Sequence, residues 1–365
     1  MKIETLRLVN YRNYLGEHDF QFQQGINVVH GRNAQGKTNL LEAIFLLSRG
    51  YAHRLKSLKD AVHFESPGFY LRATTQLMDI HHQIVLKYVK GKKTVQLDGK
   101  DGPGREALLK VFPTVLFVPD DLKMIKEGPS RRRAFLDTEI AAFRPGYAAV
   151  LREYRNILSQ RGALLRDIRY KGTDPHMLSL WDGQLVQAGT RIIRHRMDYL
   201  QKLNLKAREL HSVLSDDNEK LTLHYISNVL QDKRDLSRLE ATYTQRLNEG
   251  KGRDLERLTT GIGPHLDDFS ITINDRDTRL YGSQGQQRTV AIALILSEIE
   301  IFKDIYGTEP VVLLDDVLSE LDIRRQQSIL SLLRNTQTFI TCTDSSFIPE
   351  EIPVHTIEIE GGKQI

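Results

Sequence analysis

The chain of 365 residues is 40% hydrophobic and 27% charged, with a formal net charge of +4 and a single cysteine, Cys342. This is ordinary globular usage over a length sufficient for more than one core, which excludes a disordered chain, and one cysteine excludes an internal disulfide and fits a reducing compartment. No apolar run reaches membrane-spanning length and the first residues alternate rather than build a signal segment, so the expected location is the cytoplasm, away from any membrane.

Met1 to Leu8 alternates as a strand, and Ile26 to His30 reads as a short buried one. The glycine-rich loop Gly31-Arg32-Asn33-Ala34-Gln35-Gly36-Lys37-Thr38 follows, then an apolar helix from Asn39 to Leu47. Strands recur at Phe69 to Leu77, Gln83 to Val89, Lys92 to Leu97 (a hairpin closed by Asp98-Gly99) and Thr114 to Val118. From about 130 to 218 the period becomes helical, as in Tyr147, Val150, Leu151, Tyr154, Leu158 and Leu165. Gly172-Thr173-Asp174-Pro175 breaks it, and Leu178 to Leu214 forms the longer arm, with Trp181 expected as a core anchor. These arms are too short for the sustained heptads of a long coiled coil. Strand patterning returns at 221–229 and 269–281, Ser283-Gln284-Gly285-Gln286-Gln287 opens a helix through Val290 to Leu296, and strands around 311, 338 and 354–359 finish the chain. The expected organisation is an α/β nucleotide lobe of residues 1–118 and 308–365, interrupted by a mainly helical lobe of 119–307.

The loop carries the chemistry. Between a strand and a helix, its successive backbone N–H groups turn toward a phosphate at the helix N-terminus, with Gly31 and Gly36 allowing close approach. Lys37 then reaches the β/γ-phosphates and the Thr38 hydroxyl ligates Mg²⁺. The acidic partner, Val311-Val312-Leu313-Leu314-Asp315-Asp316, arrives only near the end of the chain. Its unbroken apolar run predicts a strand buried on both faces, delivering Asp315 to the metal and Asp316 to the attacking water at the strand's C-terminal edge. Ser283 and Gly285 sit at a second helix N-terminus, where an anion is favoured. Since the first loop already holds this chain's own phosphates, the second site suits the nucleotide of another subunit.

Charge is unevenly distributed. Residues 121–210 hold 18 Lys/Arg against 10 Asp/Glu, whereas 291–365 hold 5 against 13. A basic excess in one lobe is the footprint of a DNA-facing surface, read through phosphates. Arg131, Arg132, Arg133 and Arg191, Arg194, Arg196 are the candidates, with Arg152, Arg155, Arg161, Arg166 and Arg169 between them. His81 and His82 lack partners at metal-ligand spacing and read as exposed structural residues. For His265, three roles stand open: DNA contact, lobe hinge, or support of the Ser283 loop.

The combination resembles the ATP-binding-cassette ATPases, with a Walker A loop at 31–38, a signature motif at 283–287, a Walker B strand ending at Asp315-Asp316 and a D-loop at Ser319-Glu320-Leu321-Asp322. Within them it is similar to the RecF family of the SMC-like branch, through Asn10-Tyr11-Arg12-Asn13-Tyr14, Ser130 to Asp137 and Gly263-Pro264-His265-Leu266-Asp267-Asp268. The resemblance implies an ABC-type ATPase lobe with a mixed sheet plus a mainly helical second lobe. It implies ATP and Mg²⁺ as cofactors, and ATP-dependent homodimerisation that sandwiches each nucleotide between one subunit's Walker A loop and the other's Ser283, Gly285 and Gln286. It implies binding to double-stranded DNA near gaps and single strands, RecR and RecO as partners, and RecA loading as the outcome. Lys37, Thr38 and Asn39 match the phosphate and metal contacts of the loop and its helix, Asp322 the D-loop aspartate, and Arg12 an arginine that approaches the phosphates in SMC-like relatives. Asp316 stands where transporter cassettes carry glutamate, which predicts slow hydrolysis. Thr343, where they carry histidine, either bonds the γ-phosphate or ends a solvated strand. The alternatives are a transporter's nucleotide-binding subunit and a DNA clamp that does not hydrolyse its nucleotide.

Overall fold

The structure, a computed structural model, describes residues 1–55, 57–215, 218–230, 236–344, 348–349 and 351–365. Along the chain come β1 (Lys2–Tyr11), β2 (Tyr14–Gln21), β3 (Ile26–His30), α1 (Lys37–Arg49), β4 (Gly68–Leu77), β5 (Ile80–Val89), β6 (Lys92–Leu97), β7 (Lys100–Asp101), α2 (Arg105–Val111) and β8 (Thr114–Phe117). A helical stretch follows: α3 (Lys123–Lys126), α4 (Pro129–Phe143), α5 (Tyr147–Lys171) and α6 (Leu178–Leu214). Then come β9 (Leu221–Ile226), α7 (Leu239–Arg257), β10 (Asp268–Ile273), β11 (Arg276–Asp277), α8 (Thr278–Tyr281) and α9 (Gln284–Tyr306). The chain finishes with β12 (Val311–Asp315), α10 (Ile323–Leu332), β13 (Thr338–Cys342), β14 (Val354–Glu360) and β15 (Lys363–Gln364). Among the described residues no helix is long and apolar enough to cross a membrane.

Two compact units result, one of Met1–Asp121, Glu209–Asp217 and Arg288–Ile365, the other of Leu122–Arg208 and Asn218–Gln287. The division differs from the expected 119–307 because Val290 to Leu296 of α9 are buried on every face, and a helix without a polar face groups with a large core.

The first unit has two six-stranded sheets. One, ordered β2-β1-β4-β5-β6-β7, is antiparallel throughout. Residues with φ > 0 at Lys90-Gly91 and Asp98-Gly99 make the turns between β5 and β6 and between β6 and β7, as two-residue hairpins require. The other sheet is ordered β15-β14-β3-β13-β12-β8, and all but β15 run parallel, so the ends of β3, β12 and β13 emerge along one edge. Ligands of parallel sheets bind at such an edge. Leu40 to Leu47 of α1 join side chains of both sheets in one core. β2 was not expected from sequence, since only Tyr14 and Phe20 of its eight residues are buried.

The second unit packs α4 to α7 with the three-stranded sheet β11-β10-β9. Thr278 to Tyr281, expected to be strand, form α8 because the Asp277 carboxylate caps the Leu280 N–H at 3.0 Å. Trp181 is half-buried on α6 rather than a core anchor. The fully buried Arg161 of α5 pairs with Asp182 of α6 and Asp254 of α7, each at 2.7 Å.

Around Gly263 to Asp268 the packing is closer still. Gly263 has φ +140, and a side chain there would run into the hydroxyls of Tyr154 and Tyr243. His265 Nε2 lies 2.9 Å from the Thr260 carbonyl, which can only accept, so Nδ1 accepts from Tyr154 Oη at 2.7 Å. Both ring nitrogens are thereby used in holding the loop between α7 and β10, and burial lowers the ring's pKa. The Asp267 carboxylate accepts from Tyr225 Oη at 2.5 Å and the Asn228 N–H at 2.6 Å. Burial nevertheless pushes its pKa up to about 6.

A carboxyl whose folded pKa exceeds its unfolded value contributes stability that is present below the unfolded pKa of 3.8 and lost as pH rises through about 6. His265, lowered by burial, acts with the opposite sign, so the comparison must isolate Asp267. The stability of the native chain relative to Asp267→Asn should therefore fall by up to about 3 kcal/mol between about pH 4 and pH 7. Parallel urea-unfolding profiles for the two proteins across that range would show that Asp267 is not held in the neutral form.

Candidate functional site

The loop between β3 and α1 is shaped by residues with φ > 0 at Gly31 (+145°), Ala34 (+66°) and Gly36 (+115°). A side chain on Gly31 would run into the Ile359 carbonyl, and one on Gly36 would approach the Asn13 amide to 2.7 Å. Gly36 is the N-cap of α1 and provides no capping side chain, so the helix opens on bare backbone. Arg32, Asn33 and Ala34 are exposed, while Gln35 and Gly36 are clamped from behind. Asn13 Nδ2 donates to the Gln35 carbonyl at 2.8 Å, Tyr14 Oη to the Gly36 carbonyl at 3.0 Å, and Asn39 Nδ2 to Asn13 Oδ1 at 2.8 Å. The Gly361 and Gly362 N–H groups, at the turn between β14 and β15, hold Gln35 at 2.5 and 3.1 Å.

Lys37 is buried beneath this arch, its ammonium donating to the Gly31 and Arg32 carbonyls at 2.6 and 2.9 Å. Burial lowers its pKa, with Asp316 and Asp315 acting against the shift.

Asp315, the last residue of β12, is only 2% exposed. Its Oδ1 accepts from the Thr38 hydroxyl at 2.7 Å and from the Thr341 hydroxyl at 2.9 Å, and its Oδ2 lies 3.2 Å from the Arg54 guanidinium. Thr341 is the register partner of Asp315 across β12 and β13, which explains the contact. Its oxygen also accepts the Asp316 N–H at 2.8 Å and so fixes the next residue, which is exposed and has φ +54°. Ser319 Oγ donates to Asp316 at 3.0 Å. Asp322 caps α10 through the Arg325 N–H at 3.1 Å and pairs with that arginine's side chain. Thr343 is exposed beyond the end of β13, and it is Thr341 that contacts both acids.

A hydroxyl and a carboxylate oxygen 2.7 Å apart beside a bare helix N-terminus fit a hard divalent cation that keeps waters and takes phosphate oxygens. Among the described residues there is no group of three or more His, Cys, Asp or Glu able to hold a metal by themselves. Arg12 is engaged by the first helix. It has φ +55° and bonds Glu42 Oε2 on α1 at 2.9 and 2.7 Å, because that buried carboxylate requires a counter-charge.

In the second unit, Ser283 and Gln286 form a capping box at the start of α9. Ser283 Oγ accepts the Gln286 N–H at 3.2 Å, and Gln286 Oε1 accepts the Ser283 N–H at 2.8 Å. Gly285 lies one residue before Gln286 in the first turn, and buried Gln287 ties that turn to the Thr278 carbonyl at 3.1 Å.

The arginine candidates divide sharply. Arg132 is buried in a bidentate pair with Asp268, both contacts 2.7 Å, and Arg196 in one with Asp137, both 3.0 Å. Neither is available to DNA, since the helix period that puts some basic residues outward puts these inward. Arg131, Arg191 and Arg194 are exposed and Arg133 is half-buried, with Arg131 paired to Glu127 and Arg133 bonded to the Asp267 carbonyl. Arg152, Arg155, Arg166 and Arg169 are also exposed. His81 and His82 contact Glu4 and Asp98 at 3.0 and 2.8 Å on the strand surface.

Thr341 and Arg54 escaped the sequence reading. Only the β12–β13 register identifies the first, and nothing in composition identifies the second. The bracing residues had a signal in the Asn13-Tyr14 and Gly361-Gly362 pairs, but their partners are remote in sequence.

Comparison with known proteins adds the following. The family model described as RecF/RecN/SMC N terminal domain matches residues 2–359. DNA replication and repair protein RecF of Clostridium tetani (strain Massachusetts / E88) is 38% identical over 346 residues, covering 94% of this chain and 93% of that one. The protein of that name from Caldanaerobacter subterraneus subsp. tengcongensis is 39% identical over 349 residues, covering 95% of each. The solved structure of the recombination mediator protein RecF-ATPrS in the RecFOR pathway superposes with a TM-score of 0.89 at 36% identity, covering 100% of this chain and 97% of that one. An Smc head bound to the C-winged helix domain of ScpA gives a TM-score of 0.59 at 14% identity, covering 100% and 96%, a likeness of fold alone.

Thr341→Val keeps the shape of the side chain but leaves the Asp316 N–H without its partner and removes one of the two hydroxyl donors to the buried Asp315 Oδ1. Urea unfolding should show a loss of about 1–3 kcal/mol, while Thr343→Val, at an exposed position, should stay within about 0.5 kcal/mol of the native chain. Equal stability of the two variants would refute the bridging role of Thr341.

Proposed function

The chain belongs to the RecF/RecN/SMC N-terminal domain family, among the ATP-binding RecF proteins of DNA replication and repair, and from that premise we propose that it is an ATP-dependent switch on DNA. ATP with Mg²⁺ closes two copies head to head, the loop 31–38 of one facing Ser283, Gly285 and Gln286 of the other. The closed dimer holds duplex DNA beside single-stranded gaps, where RecR and RecO join it and RecA is loaded. Slow hydrolysis then reopens it.

The observation that carries this reading is the Thr38–Asp315 pair at 2.7 Å beside the uncapped start of α1, with a buried ammonium beneath the loop. In the proposed complex, Thr38 and Asp315 hold the metal, which offsets phosphate charge when bound. The loop from Gly31 through Arg32, Asn33, Ala34, Gln35 and Gly36, with Asn39 behind it, supplies backbone N–H donors and a fixed curvature. Lys37 turns from the Gly31 and Arg32 carbonyls to the phosphate oxygens. Asp316 is placed at the strand edge to orient a water, and its short side chain, shared with Ser319, suits slow turnover. Asp322, beside this carboxylate in sequence, addresses the opposite copy. DNA is held by Arg131, Arg133, Arg191 and Arg194 through phosphates, without strong sequence preference.

Light scattering at fixed moderate salt, with ATP and Mg²⁺, should show the native chain as a dimer that a short duplex stabilises. Lys37→Arg should remain monomeric, Ser283→Arg should bind ATP without pairing, and Asp316→Asn should lengthen the dimer's lifetime. A normal ATP-induced dimer from Ser283→Arg would eliminate the sandwich arrangement. An Asp316→Asn protein matching the native chain in lifetime and turnover would favour a clamp that does not use this carboxylate.

The DNA surface has its own readout. Each of Arg131, Arg133, Arg191 and Arg194 changed to alanine should weaken duplex binding evenly across sequences and reduce the slope of log affinity against log salt by about 1. An unchanged slope removes that residue from the surface.

A further inference from the structure

Asp315 is the point at which two cations would compete. Its Oδ1 already takes the Thr38 and Thr341 hydroxyls at 2.7 and 2.9 Å, while Oδ2 faces the Arg54 guanidinium at 3.2 Å. A divalent ion at Thr38 and Asp315 and a guanidinium on the same carboxylate repel one another at a few ångströms in a poorly solvated place. Each weakens the hold of the carboxylate on the other, and their mobilities differ. The Asp315 side chain is 3% exposed, whereas that of Arg54 is 43% exposed and stands on the connection after α1.

The same small cavity supplies a destination. Thr38, Glu42, His53, Arg54 and Asp315 all line it. Glu42 is 4% exposed and lies one turn after Thr38 on the same face of α1. Its Oε2 takes Tyr11 Oη at 3.3 Å and two Arg12 nitrogens at 2.9 and 2.7 Å, but its Oε1 is buried and has no hydrogen-bond partner. A buried carboxylate oxygen without a donor is costly, so the Arg54 guanidinium, already part of the same cavity wall, has a second strong acceptor on that wall.

We infer that Arg54 is a displaceable counter-cation: it neutralises Asp315 until a divalent cation takes that carboxylate, and then transfers to the unpaired oxygen of Glu42. Arg54 thus opposes metal binding and Glu42 favours it by receiving the arginine. Neither touches the reacting atoms. They are positioning residues, and the inference rests on the reading of Asp315 as the metal-side carboxylate.

The test is Mn²⁺ affinity, read from the electron paramagnetic resonance signal of free Mn²⁺ as the full chain, saturated with a non-hydrolysable ATP analogue, is titrated. Arg54→Met and Arg54→Gln should each bind Mn²⁺ about fivefold more tightly than the native chain. Glu42→Gln should bind about threefold more weakly with Arg54 present, and should have no effect in the Arg54→Met background. If the Arg54 variants match the native chain, or if Glu42→Gln acts equally in both backgrounds, the transfer is refuted. Asp315→Asn separates the two levels. Should it leave Mn²⁺ affinity unchanged, the metal reading of Asp315 itself is wrong, whereas a large loss there with unchanged Arg54 variants removes only the transfer.

Discussion

A carboxylate buried at the end of a strand must be paired, and that requirement organises the first unit. Asp315 is held in place by Thr38, Thr341 and Arg54, which come from the start of α1, from β13 and from the connection after α1. Satisfying it fixes the β12–β13 register, because a slip of one residue would turn Thr341 to the other face of the sheet. It also ties the entry of α1 to the strand edge, since Thr38, in the first turn after Gly36 at φ +115°, is bonded to Asp315. Loop, helix and acidic strand are therefore one construction. The bracing by Asn13, Tyr14, Gly361 and Gly362 keeps the loop's curvature independent of whatever occupies it.

The second unit meets a similar requirement with the opposite charge. Arg132, Arg161 and Arg196 are buried, and each has a carboxylate within 2.7 to 3.0 Å. Replacing such a pair with apolar side chains is often no less stable, but removing one partner alone is strongly destabilising, at about 3–5 kcal/mol. Their effect here is to specify which faces of α4, α5, α6 and α7 meet. The loop from Gly263 to Asp268 joins this network through Arg132, Arg196, Tyr154 and Tyr225. His265 belongs to that packing: both of its ring nitrogens brace its own loop between α7 and β10, a role distinct from the three left open by sequence.

These pairings also mark the limit of what the sequence reveals. The strand Val311 to Asp315 was legible because a run buried on both faces shows no period and ends in acids. The helices α5 and α6 were legible because their apolar period is 3.6. Helix α7 was not, although its inward positions recur at Leu239, Tyr243, Leu247, Gly250 and Asp254. Two of those five are glycine and aspartate, and the aspartate is core only because Arg161 lies opposite. The same blindness assigned Arg132 and Arg196 to a DNA surface: a basic stripe does not show which of its members have a partner elsewhere in the chain. Contacts spanning long sequence separations, such as Asp315 to Thr38 and Gln35 to Gly361, become visible only once the fold brings them together.

The capping box at Ser283 bears on how a helix start can serve its own fold and a second copy at once. A serine hydroxyl carries one donor and two acceptor sites, and the cap uses the acceptor side, through the Gln286 N–H. The donor remains for an anion, so on the proposed closure Ser283 can bind a phosphate without giving up its helix. Gln286 completes the box by taking the Ser283 N–H, and its amide donates to Glu219 at 2.8 Å. The hydroxyl's direction is thus set by bonds internal to the second unit before any nucleotide arrives. Both helix starts, at Gly36 and at Ser283, are then prearranged, one by a glycine that leaves the helix uncapped and the other by a cap that uses only the acceptor side of its hydroxyl. On the proposed closure, orienting these groups would cost little conformational entropy, and more of the binding energy would be left to act on the equilibrium between separate and paired copies.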